Sequence, residues 1–142
     1  MEIVYLLRDE GKENTYVKVG HTNDWETSRV LKYNTHNPNY QLCATIPVRN
    51  AIMGRQIEWA CANLFGFANS KNNTEWFEVE EYMLANFSHI HTLPELLEFC
   101  NYYEITRQSI AHYRQKFADA PNKSRKKYYQ GRLDTMIELL SY

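Results

Sequence analysis

Two short β-prone runs stand close together near the start of the chain, Ile3-Val4-Tyr5-Leu6-Leu7 and Tyr16-Val17-Lys18-Val19. The intervening Asp9-Glu10-Gly11-Lys12-Glu13-Asn14 is polar and contains glycine. Runs so placed satisfy their backbone groups most simply by pairing with each other, which predicts an antiparallel hairpin with a longish loop. Whatever follows has to be laid against that hairpin. Gly20 is expected to end the second strand, with a helix from an Asn23 or Asp24 cap to about Tyr33, Glu26 in its first turn, and Asn34, Asn37 and Pro38 stopping it. Tyr40 to Val48 reads as a third strand, with Pro47 at its end or at an exposed edge.

Asn50 then caps the strongest helical pattern in the chain. Ile52, Met53, Ile57, Ala60, Cys61, Leu64 and Phe65 recur at helical spacing up to Gly66. Ala68 to Asn73 is a polar loop, and Trp76-Phe77-Glu78-Val79 a short strand. Helices are predicted over residues 80–89, from Leu93 behind Pro94 to about Arg107, on through Phe117, and from Asn122 to Leu140 behind Pro121. The order β-β-α-β-α-β followed by helices predicts an α/β (α+β) fold: a small antiparallel sheet flanked by helices, over residues 1–85, and a helical C-terminal extension, over residues 86–142.

The 142 residues are enough for one domain with a real core, and 44% apolar content with 14% aromatics excludes a disordered chain. A mean hydropathy of −0.61, with no apolar run near the ~20 residues a span requires, predicts no membrane association. Met1-Glu2-Ile3-Val4 lacks the basic start of a signal peptide, and three scattered cysteines fit neither disulfide nor zinc spacing. Both point to an intracellular setting, the cytoplasm or a host nucleus. The net charge of −1 argues against a bulk polycation, so any nucleic-acid site must be local. It divides unevenly: residues 1–85 carry eight Lys/Arg against eleven Asp/Glu, and residues 86–142 eight against six.

One set of residues carries chemistry: Tyr5, Lys18-Val19-Gly20-His21, Arg29 and Glu58. Tyr5 and Lys18 fall on neighbouring strands. Gly20 is expected to let the backbone turn, so that His21 escapes the alternation that would point it away from Lys18. Glu58 is a carboxylate on the edge of an apolar helical stripe, where burial demands a partner or a metal. Taken singly, each has a plain structural role: a core aromatic, an outward lysine, a surface ion pair, a solvated carboxylate, a loop histidine. Taken together and in order, the set resembles the GIY-YIG nuclease superfamily, in its compact phage, viral and bacterial branch. The resemblance covers residues 2–80. It rests on Val4-Tyr5, on Lys18-Val19-Gly20 with His21-Thr22, on Arg29, on Glu58 and on Glu75-Trp76-Phe77. The family's opening glycine is replaced by Ile3, and the tyrosine of its second motif by Lys18.

The resemblance implies hydrolysis of DNA phosphodiesters with a single Mg²⁺ or Mn²⁺. Glu58 would be its only protein ligand, as suits a hard cation that keeps most of its waters. Tyr5 would be the general base, helped by the Lys18 ammonium, since a neighbouring cation favours the phenolate. Arg29 would hold the phosphate in its planar fork, His21 would bond the phosphate or the attacking water, and Asn72 or Asn73 would position a phosphate or a metal water.

Other signals are weaker. His89 and His91 read as surface residues for want of a third ligand. Trp25, Trp59 and Trp76 are candidate stacking residues, Trp76 with Phe77 being better suited to closing the core. The run Lys123, Arg125, Lys126 and Lys127 with Tyr128 and Tyr129 is where phosphate contacts are expected in a nuclease. Leu133, Met136, Ile137 and Leu140 form a stripe that packs on the domain or on a second copy, as in a homodimer. The expectation is thus a metal-dependent DNA endonuclease acting on branched, single-stranded or duplex substrate. The alternatives are a catalytically silent nucleic-acid-binding or regulatory protein on the same scaffold, and a helical partner-binding protein.

Overall fold

A computed structural model describes residues 1–9, 16–23, 40–66 and 76–141. The first two β-prone runs form β1 (Ile3–Asp9) and β2 (Tyr16–Thr22), paired antiparallel with Tyr5 opposite Gly20 and Leu7 opposite Lys18. β3 (Tyr40–Pro47) adds to the other side of β1, and β4 (Trp76–Glu78) to the far side of β2, giving the order β3-β1-β2-β4. All three pairings are antiparallel, and β3 shifts register between its partners Leu6 and Leu7. The helix expected between β2 and β3 lies outside the described residues.

Alternation divides the sheet into two faces. Val4, Leu6, Val17, Val19 and Ile46 point to one face and meet Met53, Ile57, Ala60, Cys61 and Phe65 of α1 (Ala51–Phe65) in the main core. Met53 and Ile57 are fully buried there, and burying an apolar side chain of that size contributes about 1.5–3 kcal/mol. Asn50 caps α1 as its sequence demands, its side chain accepting from the Met53 N–H at 2.9 Å, and Gly66 ends it at φ 81°. The opposite face carries a second buried cluster, Tyr5, Leu7 and Trp76, with Tyr16 against it.

Four more helices follow among the described residues: α2 (Glu81–Ser88), α3 (Leu93–Phe99), α4 (Tyr102–Ala118) and α5 (Lys123–Leu139). The helix expected to run unbroken from Leu93 to about Arg107 is instead broken after Phe99. Asn101 takes a left-handed conformation (φ 55°, ψ 45°), which asparagine tolerates better than most side chains, and the chain restarts there as α4. The core also draws on both sides of residue 85, since Phe87, Ile90, Leu96, Leu97, Cys100, Tyr102 and Leu139 join the sheet and α1 in it. Of the C-terminal stripe, Leu133 and Met136 pack on Ile110 of α4 and Leu140 lies against them, while Ile137 is exposed. The Arg49 guanidinium pairs with Glu138, tying the entry to α1 to the end of α5. No described helix is long and apolar enough to cross a membrane.

The break at Asn101 supplies a test of this packing. Asn101→Ile places a β-branched side chain at positive φ and lowers stability by about 1–2 kcal/mol, read as a lower urea midpoint with unchanged slope. Asn101→Gly keeps stability or raises it by up to about 1 kcal/mol.

Candidate active site

The site is built on two glycines that let other groups come close. At Gly20 an added Cβ would lie 2.3 Å from the Tyr5 Cζ and hydroxyl oxygen, so the phenol lies directly across the β2 backbone. Gly20 stays in regular register, with neither a turn nor a strand end at that point. The expectation that it redirects His21 is therefore wrong. Its role is to clear a path for the Tyr5 ring, while His21 keeps the alternation, pairs with Val4, and points to the face opposite Tyr5 and Lys18. There it meets α1 at Gly54, where an added Cβ would stand 2.9 Å from the His21 Cβ and Cγ. One turn further along α1, the Glu58 Oε1 lies 2.8 Å from His21 Nδ1.

These groups reach one another because β4 pairs only with Tyr16, Val17 and Lys18. Beyond Lys18, β2 has no further strand partner on that side among the described residues. At this end of the sheet a cleft of about 410 Å³ opens, lined by Glu2, Tyr5, His21, Thr22, Asn23, Ala51 and Arg55. Glu58 adjoins it through its bond to His21. Glu2 is fixed by its carbonyl, which accepts from the Val48 N–H at 3.0 Å, and its Oε2 is buried with no hydrogen-bond partner among the described residues.

The imidazole is held charged more firmly than usual. The hydrogen bond to Glu58 raises the His21 pKa, burial opposes this, and the charges of Glu58 and Glu2 add to the rise while Arg55 works against it. Two carboxylates thus bear on one imidazole beside a guanidinium. Among the described residues no three His, Cys, Asp or Glu side chains converge into a closed metal cage. The donors present fit a hydrated Mg²⁺ or Mn²⁺, which takes one or two carboxylates and keeps its waters. Glu58 has no bond at Oε2 among the described residues, and Glu2 has its orphaned oxygen.

Of the residues singled out from sequence, Tyr5, His21 and Glu58 come together at the cleft. Lys18 is buried (3% exposed) on the Tyr5 face, opposite Leu7 and Trp76. Arg29, Asn72 and Asn73 lie outside the described residues, as do Trp25 and Glu75. Lys123, Arg125, Lys126 and Lys127 occupy the exposed first turns of α5 and do not line the cleft. Sequence reasoning missed Glu2 and Arg55. Arg55 was legible in principle, being three residues before Glu58 and so on the same helix face; Glu2 carries no local signal.

A family model described as the T5orf172 domain matches residues 2–99 of the chain. The chain belongs to the T5orf172 domain family. This corrects the resemblance to the GIY-YIG superfamily, which is a different family. The pattern failed at its two most specific places, Ile3 for glycine and Lys18 for tyrosine, and the short pieces that remained fit many strands and helices. T5orf172 is a nuclease-associated domain of phage and bacterial proteins. No match was found among curated proteins or solved structures.

Two outcomes test the geometry of this T5orf172 site. Because the folded pKa of His21 is raised, the His21–Glu58 pair contributes stability that is full below about pH 6.5 and fades as pH rises through the folded value. In metal-free buffer, Glu58→Gln brings the NMR titration of His21 down toward 6.5, and its stability deficit against wild type shrinks as pH rises above that point. Gly54→Ala forces the strand and helix apart and costs about 1–3 kcal/mol in urea unfolding, the price of overpacking a close contact.

Proposed function

We propose that the chain is a divalent-cation-dependent DNA endonuclease, with the cleft at the sheet end as its active site. One observation carries this reading: a phenol, a carboxylate-held imidazole and a guanidinium open on a single cleft at the end of β2. Phosphodiester hydrolysis uses such a set, namely a base for water, a hydrogen-bond donor for the phosphoryl oxygens and a cation for the phosphate charge.

In this reading Tyr5 accepts the proton of the attacking water, with its ring held by the path that Gly20 leaves open. The buried ammonium of Lys18, diagonal to Tyr5 on the same face, stabilises negative charge developing there. Arg55 takes the phosphate oxygens in its fork, and Arg29 is proposed as a second phosphate contact. His21, whose charged form the bond to Glu58 favours, donates to a phosphoryl oxygen. Glu58 orients the imidazole through Oε1 and offers Oε2 to the cation, with Glu2 as a further donor. When bound, Mg²⁺ or Mn²⁺ supplies Lewis-acid stabilisation of the phosphoryl and leaving oxygens. Asn72 or Asn73 and the basic run Lys123, Arg125, Lys126 and Lys127 are proposed as outlying substrate contacts.

The test is cleavage of plasmid and single-stranded DNA with Mg²⁺ or Mn²⁺. Wild type cuts, EDTA stops it, and Tyr5→Phe and Glu58→Ala each slow the rate by about 100-fold or more. Equal cutting by all three proteins would sink the site. Binding by all three without cutting would replace hydrolysis by nucleic-acid binding alone.

A further inference from the structure

Positive charge is concentrated far more than a net charge of −1 suggests. Residues 105–132, from the body of α4 through the connecting loop to the middle of α5, hold eight of the 16 Lys+Arg and one of the 17 Asp+Glu. The rest of the chain carries eight against sixteen. The two helices form a hairpin closed by Ile110, Leu133 and Met136, with Tyr113 and Phe117 packed against them. Six of the cations, Arg114, Lys116, Lys123, Arg125, Lys126 and Lys127, are exposed and crowd its tip, within about one helical turn of the loop.

This charge is not balanced from within. None of the six has a carboxylate at ion-pair distance among the described residues. The one acid of the stretch, Asp119, is engaged instead by the Gln115 amide, which donates to its Oδ2 at 2.8 Å. The arrangement also weakens the fold. The first turn of α5 contains no acid, its cations oppose the helix dipole, and Lys123 and Lys127 are like charges four residues apart. A tip that is unfavourable on its own is stabilised by an anion laid over it.

Two features say which kind of polyanion it suits. The rings of the hairpin are already covered by its own cations: Lys116 Nζ and Arg132 Cζ lie 5.6 and 5.0 Å from the Tyr113 centroid, and Lys126 Nζ 5.7 Å from that of Phe117. Rings so covered do not serve as platforms for unpaired bases. Among the described residues from 105 to 132, Tyr128 is the single large apolar side chain that is exposed, so the tip has little to insert into a bilayer. What remains is charge against charge, and a nucleic-acid duplex presents one phosphate charge per about 1.7 Å of its axis.

We infer that the tip of the α4–α5 hairpin holds the phosphate backbone of duplex DNA, independently of base sequence and of any metal at the cleft. Arg114 and Lys116 of α4 act together with the run on α5. Arg132 follows the tip along α5 and shares a groove of about 490 Å³ with Arg55, which also lines the cleft, so cationic side chains lead from one to the other. The inference deepens the nuclease reading and rests on it for the choice of DNA; binding without metal is measured separately from cutting.

The experiment uses the whole chain in EDTA with a short fluorescein-labelled duplex, followed by anisotropy over a range of NaCl concentrations. Six phosphate contacts give a slope of log affinity against log salt of about −5. Lys123→Gln with Lys127→Gln makes the slope shallower by about 1.8, and Arg114→Gln with Lys116→Gln does the same. A duplex of unrelated sequence binds equally, and a single strand of the same length more weakly. Lys123→Glu separates binding from folding: it weakens binding more than Lys123→Gln, yet raises the urea midpoint, because an acid suits the helix start and pairs with Lys127. A lower midpoint for that variant would mark the charge as structural and overturn the inference. An unchanged slope in either double variant would overturn it too, as would tighter binding of the single strand. Tighter binding to phosphatidylserine vesicles, lost in the same variants, would replace DNA by a membrane surface. A chain that binds as described but does not cut with Mg²⁺ keeps the hairpin and loses the hydrolase reading; one that cuts while both double variants keep the wild-type slope does the reverse.

Discussion

The close seating of α1 on β2 is the contact on which the rest of the molecule depends. It exists because Gly54 presents bare backbone to His21, and a methyl group there would already collide. From that one approach several consequences follow. Met53 and Ile57 reach the sheet's inner face, Glu58 comes within hydrogen-bond distance of the imidazole, and Arg55 is carried to the mouth of the cleft. The helix is then held at its start by the Asn50 cap and the Arg49–Glu138 pair. A polar pair at the rim of an apolar contact usually weakens packing unless its partners are satisfied. Here Glu58 and His21 satisfy each other, so the contact that builds the core also builds the site.

The site is unusual in drawing on both faces of one sheet. Tyr5 belongs to one face and His21 to the other, and the two line one cleft because β2 outlasts β4 and Gly20 lets the phenol lie across the strand. Such a layout separates the buried ammonium from the imidazole by the thickness of the sheet backbone. Like charges that would repel across an open pocket are thus kept apart.

Much of this was legible from sequence, for identifiable reasons. The hairpin, β3, the Asn50 cap, α1 and the Pro121-led last helix all carry local signals: β-branched runs, cap residues and helical apolar spacing. Tyr5, His21 and Glu58 were singled out only as an ordered set, since each alone has an ordinary structural role. The break at Asn101 was hidden because the apolar spacing continues on both sides of it, and only a backbone angle marks the stop. The role of Gly20 was misread because a glycine in a strand signals either a bend or a close approach, and nothing nearby in sequence says which. Glu2 and the Arg132–Tyr113 stack depend on contacts between segments distant along the chain, which spacing rules do not register. The family was misjudged for a related reason, since several short and common pieces in order imitate a rarer pattern.

The match to the family ends at residue 99, but the packing does not. Cys100, Tyr102 and Leu139 complete the same core that begins at Val4, and Leu133 and Met136 cover the outer side of Ile52 with Ile110. Likeness of sequence and cooperativity of folding therefore draw different borders on this chain. The stretch covered by the family model stops short of what packs as a unit, since the last two helices lid the core that residues 2–99 begin.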